Sequence, residues 1–130
     1  MHIYDIRWDD VVGRWRKAGR FARPPIISVR SGSGTNLIRE SAVNGRSVTI
    51  NSGHGFHQPH HGCYGAGLSM DQVEGEILGD ISTHLRSGGT FPLAGSGHQE
   101  RTILVDGHRI TYRVIQLLSG EIRVSTYWHN

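Results

Sequence analysis

From Thr102 to the end of the chain three apolar-rich runs follow one another, Thr102 to Val105, Arg109 to Leu118, and Ile122 to Trp128, and apolar and polar residues alternate along much of the last two. Alternation at period two sends successive side chains to opposite faces of a strand. Asp106-Gly107 separates the first two runs and Ser119-Gly120 the last two, and Asp-Gly in particular favours the positive φ of a two-residue hairpin turn. The tail therefore predicts a three-stranded antiparallel meander.

The periodicity changes just upstream. Val73, Ile77, Ile81 and Leu85 recur at i, i+4, which predicts an amphipathic helix over 70–86 with that stripe against the core. Ser69 followed three residues later by Gln72 forms a capping box at its start. Gly88-Gly89 ends it, and 87–100 reads as loop. Further back, Ile26 to Arg30 and Ser47 to Asn51 read as short strands, Leu37 to Ala42 as a helical turn, and Asn44-Gly45 as a tight turn. Ile6, Val11, Val12 and Trp15 fall on one side of a short helix over 4–18, ended by Arg23-Pro24-Pro25, since proline keeps its predecessor extended. The expectation is an α+β fold, an N-terminal helical part packed on a C-terminal antiparallel sheet of four to five strands. At 130 residues it forms one domain, with 1–25 either part of its core or a basic arm.

Register decides which side chains meet, because a slip of one residue exchanges the faces. A two-residue turn at Ser119-Gly120 pairs Leu117 with Ile122 and sets Arg113 opposite Thr126. Arg113, Thr111, Thr126 and Trp128 then share a face with Ile115, Leu117, Ile122 and Val124. A three-residue turn sets Arg113 opposite Tyr127, beside Arg123 and Ser125. In either register Arg113 lies beside the Ser125-Thr126-Tyr127 row.

Charge adds a partner to this picture. Fourteen Lys and Arg against eleven Asp and Glu leave a formal +3, and Lys17 is the only lysine. Arginine's planar fork matches phosphate bidentately. Seven basic residues precede position 31, interleaved with Trp8, Trp15 and Phe21, a combination that suits nucleic acid. A single cysteine, Cys63, excludes an internal disulfide and fits a cytoplasmic site of action. No stretch approaches the roughly 20 apolar residues of a membrane-spanning helix.

The Gly- and Pro-rich stretch 52–67 holds the candidate chemistry. His54, His57, His60 and His61 lie within eight residues there. They read as solvated loop residues, as zinc ligands, or as general acid–base groups, because the histidine proton moves near neutral pH. No carboxylate or second cysteine accompanies them in a standard ligand spacing, so no metal site is assigned. Glycines flank His54 and let its ring approach a ligand closely. A guanidinium from Arg113, hydroxyls from Ser125, Thr126 and Tyr127, and an imidazole together suit phosphodiester cleavage. In that reaction the 2′-hydroxyl of RNA attacks phosphorus, a base takes its proton and an acid protonates the leaving oxygen. Neither metal nor cofactor is needed.

The tail GHRITYRVIQLLSGEIRVSTYWHN and the segment GRSVTINSGHGFHQPHHG resemble bacterial toxin domains of the barnase, EndoU, colicin and RelE-like ribonuclease superfamily. The resemblance spans roughly residues 45–129. It implies His54 or His57 as base, Arg113 as phosphate anchor, and Thr126 with Tyr127 as the last-strand pair. His60, His61, Arg109, Arg123 and Ser125 would bind substrate. It further implies tRNA or rRNA as substrate, a cognate immunity protein as partner, and a place at the C-terminal end of a larger secreted effector acting in the target cell's cytoplasm. No lysine stands here where EndoU-type enzymes use one. Two other readings stay open: an ADP-ribosyltransferase built on Arg30, Ser31-Gly32-Ser33 and the Glu74/Glu76 pair, and a non-catalytic nucleic-acid-binding module.

Overall fold

The computed structural model describes residues 28–130, so the helix expected over 4–18 and the basic, aromatic stretch around it lie outside the described residues. The strands are β1 (Ser28–Ser31), β2 (Ile38–Val43), β3 (Arg46–Ile50), β4 (Gln99–Val105), β5 (His108–Gln116) and β6 (Ile122–His129), and the α-helix is α1 (Met70–Arg86). All six strands form one sheet in the order β1-β2-β3-β6-β5-β4. Each half is an antiparallel meander, and the halves join where β3 pairs parallel with β6.

The fold is thus mixed α+β, with two corrections to the expected architecture. The sheet has six strands, not four to five, and the described helix lies in the middle of the chain, between the two meanders. The extra strand is β2, where a helical turn was expected. Its inward positions are Arg39, Ser41 and Val43, so two of the three buried residues are polar and the alternation carries no hydrophobic signature. The parallel β3–β6 pair follows from the long connection between the meanders, which carries α1 and lets β6 return beside β3.

The turns follow their residue chemistry. Asn44 and Gly45 have φ of 51° and 78°, and Asp106 and Gly107 have 49° and 79°, the pair of left-handed residues that matches strand twist in a tight hairpin. At the start of α1 the Ser69 hydroxyl accepts from the Gln72 amide at 3.1 Å, and Gln72 Oε1 accepts from the Ser69 amide at 3.3 Å. This is the capping box that the sequence predicts.

Helix α1 covers one face of the sheet. Val73, Ile77, Leu78 and Ile81 pack with Val43, Val48, Ile50, Ile110, Tyr112, Val114, Ile122 and Val124 into one core. At about 25 cal/mol per Å² of apolar surface, this burial is the main force holding helix to sheet. Polar ties add direction. Asp80 on α1 accepts from Arg101 Nε at 2.7 Å and from the Tyr112 hydroxyl, linking the helix to β4 and β5. Tyr127, also fully buried on this face, donates to Glu74 at 2.6 Å.

Near the last turn the pairing is Gln116 with Ile122, not Leu117 with Ile122. Two steps farther in Val114 faces Val124, yet at the next step Arg113 faces Thr126. Ser125 is therefore an extra residue, a β-bulge on β6. The bulge keeps Ile122, Val124 and Tyr127 on the helix-covered face and turns Thr126 and Trp128 to the other side with Arg113. Ile122 and Val124 consequently do not share Arg113's face, as the regular two-residue-turn register had required.

Candidate active site

Beyond Ile50 the chain leaves the sheet, so the second half of β6 has no partner on that side. The glycine- and histidine-rich loop fills the gap. The Asn51 amide donates to the Val124 carbonyl at 2.9 Å, and the Thr126 hydroxyl donates to the His54 carbonyl at 2.9 Å. Gly55 sits so close to the Tyr127 ring that a Cβ there would lie 2.3 Å from it; only glycine fits. Gly62, at φ 85°, lets the following turn pass His129. The loop is thus built onto β6 by backbone bonds and a tight glycine contact, and its histidines have an ordered place.

Against this loop lies a cleft of about 280 Å³ lined by His60, His61, Arg113, Thr126, Trp128 and His129. Arg113 stacks its guanidinium over the Trp128 ring, 5.3 Å from its centre, and donates from Nε to Glu100 at 2.9 Å. That bond is the largest influence holding the Glu100 carboxyl below its usual range. The pair is exposed on both sides, so solvent screens it and leaves Arg113 able to exchange partners for a phosphate. The ring of His61 stands edge-on to Trp128, with centres 6.5 Å apart, and His60 packs against His61. Nδ1 of His61 is buried and has no hydrogen-bond partner. His129 Nε2 is hydrogen-bonded to His108 Nδ1 at 2.9 Å, which requires one of the two nitrogens to carry a proton and the other to accept it.

No family model, curated protein or solved structure matches this chain.

The expected residues divide among several places. His60, His61, Arg113 and Thr126 come together in the cleft. His54 is exposed and reaches the site through its backbone carbonyl, while the His57 ring lies edge-on to Phe56. Arg109 is exposed at the start of β5, opposite Leu104. Arg123 and Ser125 line a second cleft with Arg30 and Thr49. Tyr127 lies on the opposite face, where burial above all, and then the nearby Glu74, push its hydroxyl well above the ordinary value. Cys63 is buried, and burial with the Glu74 charge pushes its thiol up to about 11, which keeps it protonated and poorly nucleophilic. Sequence pattern alone gave no role to His108 and His129, and it set Trp128 on Arg113's face without assigning it a function. Trp128 and His129 follow the Thr126-Tyr127 pair directly, and the bulge that separates Ile122 and Val124 from their face leaves no mark in the pattern.

Elsewhere, Glu74 is buried on α1 beside Arg39, and Arg30 pairs with Glu121. Arg30 and Glu74, two of the groups considered for an ADP-ribosyltransferase, are thus engaged in separate ion pairs. Among the described residues no three His, Cys, Asp or Glu side chains are grouped to hold a metal ion, and no helix is long and apolar enough to cross a membrane.

Proposed function

We propose that this domain is a metal-independent endoribonuclease. The observation that carries the reading is the cleft whose lining brings together His60, His61, His129 and Arg113. Transphosphorylation of RNA needs these components: a base, an acid and a fixed cation. One imidazole takes the 2′-hydroxyl proton as that oxygen bonds to phosphorus. The P–O5′ bond breaks, and a protonated imidazole gives its proton to the departing 5′-oxygen, leaving a 2′,3′-cyclic phosphate. Arg113 binds the non-bridging oxygens and steadies the charge of the phosphorane.

His129 suits the role of acid or base because its hydrogen bond to His108 orients the ring and offers a route for its proton. Thr126 acts differently from the hydroxyl first expected. Its proton is given to the His54 carbonyl, so it anchors the histidine loop and has only lone pairs for substrate. Tyr127, hydrogen-bonded to Glu74 beneath the sheet, supports β6 without touching RNA. By the resemblance of its tail, the substrate is tRNA or rRNA, the setting is competition between bacteria, and an immunity protein covers the cleft.

The test is incubation of the purified chain with total bacterial RNA in EDTA, followed by a denaturing gel and end-group analysis. Discrete fragments with 2′,3′-cyclic phosphate ends are expected, and Arg113→Ala should abolish them in a protein of unchanged fold. Intact RNA, or equal cleavage by that variant, overturns the proposal.

A further inference from the structure

A second cleft, of about 590 Å³, adjoins the first on the sheet face opposite α1 and is lined by Arg30, Ile38, Thr49, Ile115, Arg123 and Ser125, among others. Its size falls within the range of small-molecule sites, about 300–1,000 Å³. Ile115 stands two residues from Arg113 on the same face of β5, about 7 Å along the strand. Ser125, the bulge residue of β6, directly precedes Thr126. The two clefts are therefore within one nucleotide of each other.

The lining has an unusual makeup for a solvent-facing sheet. Ile38 and Ile115 are half-buried on it and form an apolar patch. Arg30 and Arg123 both pair with the single carboxylate of Glu121, at 3.3 and 2.7 Å, and Thr49 donates to the same carboxylate at 3.4 Å. Arg123, chiefly through its hydrogen bond, and then Arg30 hold the Glu121 carboxyl below its usual range. One carboxylate thus fixes two planar guanidinium groups and takes up half their charge. A second phosphate gains little here, since it meets a carboxylate that stays ionised. A flat, neutral ring gains more: guanidinium faces stack on bases, aliphatic side chains cover the remainder, and the hydroxyls of Thr49 and Ser125 are placed to meet polar edges.

We infer that this cleft is a nucleobase subsite, holding the base next to the phosphate bound at Arg113 and giving the protein a base preference. The inference rests on the ribonuclease reading for the identity of the strand, but the base-binding site is testable without cleavage.

The probe is a set of 2′-O-methyl homo-oligonucleotides, which lack the attacking hydroxyl, titrated into the full chain and followed by amide NMR. Shifts are expected at Thr49, Ile115 and Ser125, with a spread in Kd between the best and worst base of about tenfold, within what a stacked base contributes. Ser125→Trp, a substitution at an exposed position, should fill the cleft and remove that spread, its own NMR dispersion reporting that it is folded. Equal affinity for all bases with those amides unmoved overturns the inference, as does a spread that survives in folded Ser125→Trp. The two proposals fail separately. Base-selective binding without RNA cleavage removes the ribonuclease and keeps the subsite, whereas cleavage indifferent to base and to Ser125→Trp does the reverse.

Discussion

The Tyr127 hydroxyl donates a 2.6 Å hydrogen bond to Glu74 directly beneath the strand that carries Thr126 and Trp128. Neither partner is accessible to solvent, so the last strand of the candidate site is fastened to α1 by a buried acid. Arg39 completes the contact, with Nη1 3.3 Å from Glu74 and Nη2 2.6 Å from Asp71.

Burial, opposed by the Tyr127 hydrogen bond and the Arg39 charge, pushes the Glu74 carboxyl from 4.5 to about 7. In that window the folded chain keeps a proton that the unfolded chain has released. The contribution is therefore fully present below the unfolded value and is lost as pH rises through the folded one. Denaturant titrations should show stability falling between about pH 5 and pH 7, by at most roughly 3 kcal/mol at 1.36 kcal/mol per unit. Glu74→Gln, which keeps an acceptor for Tyr127, should flatten this dependence. A slope unchanged in Glu74→Gln would assign it to another group.

Gly55→Ala should destabilise the domain although the residue lies in a loop. The added methyl meets the Tyr127 ring at 2.3 Å, and Tyr127 cannot retreat without breaking its bond to Glu74. Overpacking of this kind costs about 1–3 kcal/mol, readable as a lower urea midpoint. A midpoint equal to wild type would mean that the loop shifts freely.

Replacing Arg113 by lysine separates charge from shape. Lysine keeps the cation but loses the fork and the stack on Trp128. RNA cleavage should drop by about 10²–10³, comparable to removal of one stabilising donor at a developing anion. The thermal midpoint should barely move, because the Glu100 pair is exposed. Loss of the fold in this variant would instead give Arg113 a structural role.

The His108–His129 pair predicts a pH signature. His129→Ala should lower the rate by about 10²–10⁴, the usual worth of a general acid or base. His108→Ala should leave cleavage measurable while moving one limb of the pH–rate profile, since its partner loses the 2.9 Å hydrogen bond. A profile identical to wild type would reduce His108 to packing.

Wherever a short-range rule sufficed, the sequence was a reliable guide. Asn44-Gly45 and Asp106-Gly107 adopt the left-handed pairs their side chains favour, and Ser69 with Gln72 closes the capping box. The Val73, Ile77 and Ile81 stripe is buried along α1. These features depend on residues within one or two turns of each other. That Arg113 lies beside the Ser125-Thr126-Tyr127 row was also legible, although its pairing with Thr126 comes through the Ser125 bulge and not through the turn length.

Tertiary structure decided the rest, because the deciding interactions join distant segments. Strand β2 is a strand because Arg39 reaches Asp71 and Glu74 on α1, a partnership that substitutes for hydrophobic alternation and lies 32 residues away at Asp71. The single extra residue Ser125 reverses which face Thr126 and Tyr127 occupy, and a bulge is set by packing on both faces at once. Likewise, His60 and His61, not His54 and His57, line the cleft, because Gly55 must close on Tyr127 and carries the loop past Thr126 before it turns inward. Local sequence chose the elements and their turns; long-range packing chose which of their polar groups meet.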